Sequence, residues 1–324
     1  MRLSQLSPRY ARRRIQRVES LAKLLGTSPT DLAALAANSA HYWIPGRTKT
    51  KSDGTKRHTS NALEPLKSIH KAIKNKILRA TSYPHYLMGG LPSDEEAGCI
   101  RHCEENAKRH SGQRIVVTED IKSFYPSITA SRIHDIWQGF YRFSPEVAEL
   151  LTKLTTYRGV VPQGWVPSSY LANLALWDCE PGLVAHLERQ GLTYTRWIDD
   201  ITISSKTFVA PACKTAIVTA VYGMLRSANF SPARTKHRIR TRGQNQRVMN
   251  LNVSGKRPTV PRQRLAELRA TVRNLLRDAG SLSAADYTSK RDRIEGQIGS
   301  ISRMHPRLAE RLRNQLASVR RPAN

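Results

Sequence analysis

Three observations in this chain predict an α+β fold. Long stretches place apolar residues at helical period, as in 63–79 and throughout the tail from Val260. Two shorter runs, Ile115–Ile121 and Tyr194–Ser204, are rich in β-branched and aromatic residues and favour strands. Both runs carry carboxylates beside that apolar sequence: Asp120 at the end of the first, Asp199 and Asp200 within the second.

In chain order, residues 8 to 26 read as a basic helix. Ile15, Val18, Leu21, Leu24 and Leu25 lie on one side and Arg12, Arg13, Arg14 and Arg17 elsewhere. Such a face either grips phosphates or is simply solvated. Ser28-Pro29-Thr30-Asp31 reads as a helix start, with proline in the first turn. From His41 to Arg57 a strand, the Asp53-Gly54 turn and a returning strand are expected. Cations on both arms, Arg47, Lys49, Lys51, Lys56 and Arg57, suit a triphosphate, which needs several converging donors. Residues 63–79 form an amphipathic helix with Leu66, Ile69, Ile73 and Ile77 inward.

After the first strand come helices over about Ala130–Phe140 and Pro145–Tyr157. Pro162-Gln163-Gly164 is a turn leading into a helix that holds Ser168 to Leu174, and a further helix spans roughly Pro211–Ala228. In the helical tail Arg269, Arg273 and Arg277 recur every four residues, a stripe able to follow a row of phosphates or to serve as a solubilising face. The last helices cover about Asp286–Ser302 and Pro306–Val319.

The chain carries 53 Lys and Arg against 25 Asp and Glu, a formal charge of +28. An excess of that size favours polyanions through counterion release, so a nucleic-acid partner is the first expectation and an anionic membrane face its competitor. No run of 18 apolar residues exists to span a bilayer, and no hydrophobic core of a signal peptide follows the N-terminus. A soluble, cytoplasmic protein is therefore expected. Cys99, Cys103, Cys179 and Cys213 lack the spacing of a disulfide framework. Cys99, His102, Cys103 and His110 lack a second paired half for zinc.

Adjacent side chains on a strand point to opposite faces, so Asp199 and Asp200 can serve one site only where the backbone turns. An Asp-Asp hairpin on the surface is one reading; carboxylates relieved by divalent cations is the other. Asp120 supplies a third carboxylate from a second β element. Three such groups can hold two cations about 4 Å apart, and Mg²⁺ suits oxygen ligands. Glycine at 164 lets backbone approach a base pair closely.

Glu119-Asp120-Ile121-Lys122-Ser123-Phe124-Tyr125-Pro126-Ser127-Ile128, Pro162-Gln163-Gly164 with Ser168 and Leu171-Ala172-Asn173-Leu174, and Trp197-Ile198-Asp199-Asp200 stand in this order. Together they resemble the palm motifs of reverse transcriptases. Asn106-Ala107-Lys108-Arg109-His110 matches the NAxxH motif of the bacterial retron-type members. The resemblance implies a right-hand polymerase with fingers, a palm whose antiparallel sheet carries the catalytic carboxylates, and a helical thumb. It divides the chain into a basic helical region (1–40), fingers (41–110), palm with fingers insertions (111–255) and thumb (256–324).

The same resemblance implies RNA-directed DNA polymerase activity with two Mg²⁺ ions held by Asp120, Asp199, Asp200 and the Ile121 carbonyl. Tyr125 falls at the steric gate that excludes a ribose 2′-hydroxyl. Gln163 and Gly164 line the nucleotide pocket, and Lys51 and Arg57 grip the triphosphate, parts that Lys49 or Lys56 also fits. Lys236 matches the lysine near pyrophosphate. Asn106, His110, Trp197 and the Arg269, Arg273 and Arg277 stripe are implied at the nucleic acid. Partners implied are a structured non-coding RNA as template and primer, its DNA product, dNTPs and an accessory effector or toxin of anti-phage defence, with no membrane. Two departures stand out. Trp197-Ile198 replaces the usual Tyr-Ala before the Asp pair, and Val248-Met249-Asn250 replaces the thumb signature Val-Thr-Gly.

Overall fold

The computed structural model describes residues 3–46, 48–50, 56–57 and 59–318. The chain forms two units, Met1–Asn106 with Arg114–Ile239, and Ala107–Gln113 with Arg240–Asn324.

The first unit is built around a mixed helix-and-sheet core, in agreement with the predicted α+β class. Its sheet has strand Ile115–Asp120 beside Asp200–Ser205, which pairs on its other side with Thr193–Trp197. Asp200–Ser205 runs antiparallel to both its neighbours, with Asp120 opposite Asp200 and Trp197 also opposite Asp200. Both central strands are buried almost throughout, so neither shows the one-sided alternation of a surface sheet. Along the outer strand, Arg196 N donates to Tyr86 O and Met88 N to Arg196 O, both at 2.9 Å. Residues 86–88 thus lie along the free side of Thr193–Trp197.

Helices Pro29–Ala37 and Pro145–Thr155 start where serine and proline predict. Ser28 Oγ accepts from Asp31 N and Ser144 Oγ from Val147 N, each satisfying an end amide. These helices pack together beside Ala130–Asp135 and the π-helical turn Ile136–Phe140. Trp137, Tyr141 and Phe143 stack within this core, and Tyr10 meets Tyr141 edge-on at 4.8 Å.

The basic helix expected over 8–26 is corrected by the structure. Only Val18–Leu25 is helical, closed by Gly26 in the left-handed region at φ 79°. Arg9–Tyr10 instead pairs antiparallel with Thr81–Ser82, and Ser144 N donates to Ile15 O. The apolar anchor Ile15 is buried by a threaded, non-helical segment, which helical periodicity alone misassigns.

His70 packs edge-on against the Trp165 ring at 4.0 Å, with Trp43 beyond it at 5.9 Å, and its Nε2 is 2.8 Å from Leu154 O. Burial, only partly offset by that hydrogen bond, pushes its pKa down to about 4. An unfolded histidine protonates near 6.5, so as pH falls the unfolded chain takes up the proton first. This contribution to stability is present above pH 6.5 and is lost between about 6.5 and 4. We expect His70→Gln to flatten the fall in melting temperature across that window; an unchanged slope would remove His70 from this role.

The second unit holds a hairpin, Arg247–Val248 with Leu251–Asn252, and the helices Arg262–Asp278, Ala284–Ile301 and Pro306–Ala317. The two turn residues, Met249 and Asn250, have φ of 51° and 61°. Positive φ at both positions is the geometry of a type I′ turn. Asparagine tolerates that region better than most residues, so Val248-Met249-Asn250 keeps a tight turn without glycine. The three helices pack on one another, and the first buries Leu265, Leu268, Val272 and Leu275. Arg269, Arg273 and Arg277 are exposed on its other side, with Arg277 paired to Asp278 at 2.8 Å.

Candidate active site

The hairpin at the end of the sheet has a two-residue turn, Ile198-Asp199, because Trp197 pairs with Asp200. Ile198 has φ 59°, whereas Asp199 is not in the left-handed region. A positive φ at the first position alone marks a II′-like turn, which normally takes glycine there. A buried β-branched residue in that conformation is strained, and such strain persists only where the surroundings over-determine it.

Those surroundings are specific. Arg196, fully buried, forms a two-pronged pair with Glu180: Nε to Oε1 at 2.6 Å and Nη2 to Oε2 at 2.7 Å. Its Nη1 donates to the Ile198 carbonyl at 2.9 Å, and Nη2 also donates to Asn173 O at 3.0 Å. Tyr194 Oη donates to Glu180 Oε1, and Asn173 Nδ2 donates to Gly89 O. The pairing holds the Arg196 pKa above even the usual arginine value, against the opposing effect of burial. Gly89 and Gly90 lie against the hairpin: a Cβ on Gly89 would come within 2.8 Å of the Trp197 ring, and one on Gly90 within 2.7 Å of Ile198 Cδ1. Close approach of backbone to these two side chains therefore requires glycine.

Across the sheet, Ile121 N donates to the Asp199 carbonyl at 3.0 Å, so Asp120 and the turn are joined through the backbone. Residues 231–236 run alongside, with Ala233 N donating to Asp120 O at 2.7 Å. This delivers Lys236, whose Nζ donates to Asp120 Oδ2 at 2.7 Å. Its neighbour His237 Nδ1 hydrogen-bonds Glu119 Oε1, and Tyr222 Oη donates to Glu119 Oε2 at 3.3 Å. Two adjacent carboxylates on one strand thus each hold one of two adjacent basic side chains.

Electrostatics follow from this crowding. The Asp200 residue keeps exposed surface, yet its carboxyl is hemmed in by neighbours. That burial, then repulsion from Asp199 and Asp120, outweighs Lys236 and pushes its pKa up to about 7. Burial works against the charge of Lys236, but the hydrogen bond to Asp120 and the fields of all three aspartates prevail and raise its pKa. The group is short of positive charge.

A cleft of about 400 Å³ opens here, lined among others by Asp120, Tyr125, Arg158, Gln163, Asp199 and Lys236. Ile121 lines it as well, though its side chain is buried. Gly164 has φ 89°, and a Cβ there would meet Thr59 Cγ2 at 3.3 Å. Its requirement for glycine thus comes from the turn and this contact. Lys51 lies outside the described residues; Arg57 is described only as backbone paired with Lys49. Asn106 and His110, expected at the nucleic acid, both have buried side chains. Burial holds the His110 ring neutral, with its pKa pushed down to about 3. Trp197 is half-buried at the hairpin.

Sequence reasoning missed Arg196, Glu180, Gly89-Gly90, Glu119 with His237, and Arg158. A charged residue inside the β-rich run, at Arg196, was the one available signal.

Among the described residues no three or more His, Cys, Asp and Glu side chains form a ready metal cage. The donor set nevertheless fits hard divalent cations: carboxylates from two joined β elements, mutually repelling, with the pKa of Asp200 pushed up to about 7. Lys236 is the cation that Asp120 holds in this structure.

A mixed helix-and-sheet fold that joins Asp120 to an Asp-Asp turn beside a cleft agrees with the right-hand polymerase class. The reverse transcriptase (RNA-dependent DNA polymerase) family profile matches residues 49–260, and the chain belongs to that family. Its relatives are bacterial and retron-type. Over 232 residues it is 33% identical to the Retron Se72 reverse transcriptase of Salmonella heidelberg (strain 579083-10), covering 72% of this chain and 59% of that one. Over 314 residues it is 26% identical to the Retron Ec48 reverse transcriptase of Escherichia coli, covering 94% and 76%. The Retron Mx162 reverse transcriptase of Myxococcus xanthus is 27% identical over 289 residues, 79% of this chain and 58% of that one. The chain thus spans under two thirds of the first of these relatives. No described helix is long and apolar enough to cross a membrane.

Proposed function

We propose that this chain is a cytoplasmic RNA-directed DNA polymerase of the retron type. It binds a structured non-coding RNA, copies part of it into single-stranded DNA from an RNA 2′-hydroxyl primer, and works with an accessory effector in anti-phage defence. The juxtaposition of Asp120 with Asp199 and Asp200 over a cleft that also holds Lys236 carries this reading.

Asp120, Asp199, Asp200 and the Ile121 carbonyl are the groups to hold two Mg²⁺ ions. Bound there, they would supply charge neutralisation for phosphoryl transfer. The protein's own groups do the positioning. Lys51 and Arg57 grip the triphosphate, Gln163 and Gly164 line the nucleotide pocket, and the Trp197 ring supports the primer end. Lys236, already protonated beside Asp120, can give a proton to departing pyrophosphate. The helical segment 256–324, with its exposed Arg269, Arg273 and Arg277, serves as the thumb and follows the duplex backbone.

Purified protein with its copurifying RNA should incorporate dNTPs with Mg²⁺ and yield RNA-linked DNA sensitive to a debranching enzyme. No incorporation would overturn the polymerase reading. Incorporation without RNA linkage would favour a defence reverse transcriptase with another template or priming mode.

Tyr125 lines the cleft as a half-buried ring, and on this reading it excludes a ribose 2′-hydroxyl. A pocket that distinguishes one small group gains about 10–200-fold in selectivity. Tyr125→Ala should lower the preference for dNTP over rNTP by that order. Unchanged discrimination would assign the ring to packing.

A further inference from the structure

A second cleft, of about 850 Å³, shares no lining residue with the one at Asp120. Its walls carry Arg12, Arg13, Arg14, Arg17 and Lys76, and no carboxylate lines it. All five side chains are exposed, and none forms an ion pair among the described residues. The segment bearing the arginines is fixed. Ile15 is buried, its carbonyl accepts from Ser144 N at 3.2 Å, and Gln16 Nε2 donates to Arg142 O at 2.8 Å. Lys76 comes from the end of helix Leu66–Lys76, and its carbonyl accepts from Arg12 Nη1 at 3.4 Å. Five cations gathered on a pinned backbone repel one another and raise the energy of the folded chain. A polyanion seated among them relieves that repulsion.

The shape and composition select among polyanions. A bilayer surface calls for apolar side chains flanking the charges, and the exposed large apolar residues, Ile44, Leu63, Ile100 and Phe208, all lie outside this lining. Single-stranded RNA is gripped by stacking bases on free aromatic faces. The aromatic residue here, Tyr10, is engaged by the Tyr141 and Phe143 rings at 4.8 and 5.8 Å. What remains is recognition of phosphates alone, the mode used for the backbone of a duplex.

We infer that the cleft formed by Arg12, Arg13, Arg14, Arg17 and Lys76 binds the phosphate backbone of double-stranded RNA at a site separate from the polymerising one. This rests on the reading of the partner as structured RNA. The cleft anchors a stem of that RNA, independent of its sequence, while another part is copied.

The test uses the full chain and a blunt RNA duplex of about 16 base pairs, the span of a double-stranded RNA-binding module. The triple variant Arg13→Gln, Arg14→Gln, Arg17→Gln is compared with Lys206→Gln, Arg189→Gln, Arg226→Gln, which removes equal charge from exposed positions elsewhere. Duplex affinity of the first triple should fall roughly 10- to 100-fold at moderate salt, and the slope of log affinity against log salt should shrink by about 2 to 3. The control triple should change far less. The turnover number for extending a DNA primer on an RNA template at saturation should stay at the wild-type value in both. Equal losses in the two triples would overturn the site, as would a fallen turnover number in the first triple. So would wild-type binding to vesicles of mixed phosphatidylcholine and phosphatidylserine without binding to the duplex. A wild type that binds duplex through these arginines but extends no primer would support the cleft while refuting the polymerase reading.

Discussion

Asp199→Asn is expected to abolish dNTP incorporation while leaving the metal-free protein at least as stable as wild type. The two effects have one cause. Asp199 stands with Asp120 and Asp200 in a group whose mutual repulsion and burial already push one carboxyl to about 7. Removing a negative charge relieves the fold and weakens the cation site. Losing several kcal/mol of charge stabilisation in phosphoryl transfer, at about 1.4 kcal/mol per decade, lowers the rate on the order of a thousandfold or more. Primer extension and melting temperature, measured on one preparation, check the pair. Retained activity would sink the site assignment, and a lower melting temperature without metal would refute the repulsion argument.

Glu180→Ala should be the more damaging change to the fold. The side chain sits with its partner out of solvent, and both its oxygens accept from Arg196. Breaking a buried pair from one side strands a charge and costs about 3–5 kcal/mol. Replacing both partners with apolar residues of similar size, Glu180→Leu with Arg196→Met, should recover much of that loss. The double variant still removes the Arg196 donor from the Ile198 carbonyl. Stability should therefore return while primer extension stays low. Chemical denaturation beside single-turnover extension separates the two, and full recovery of extension would confine the pair to a structural role.

Much of the fold was legible because local signals and burial agree. Ser28 and Ser144 cap helices where serine-proline pairs predict them, and Ile115–Asp120 and Thr193–Trp197 form strands where β-branched residues cluster. The segment around Ile15 was not legible. A single buried isoleucine among arginines fits helical spacing as well as it fits a threaded chain, and only pairing with Ser144 and Ser82 decides. The carboxylates were legible as a group because polar residues in apolar strands demand a reason. Their support was not. Glu180, Asn173, Gly89 and Arg196 come from separate stretches of sequence, and no periodicity links a helix glutamate to a strand arginine.

The chain along Thr193–Trp197 has one more consequence. An outermost strand with open amides and carbonyls invites a foreign strand to add itself, the route by which sheets grow into aggregates. Here the Arg196 amide donates to Tyr86 O and its carbonyl accepts from Met88 N, and the two glycines that follow press against the hairpin. The same short stretch that cradles the Asp-Asp turn therefore covers this edge of the sheet at Arg196. A substitution that loosens it would threaten solubility during synthesis as well as catalysis.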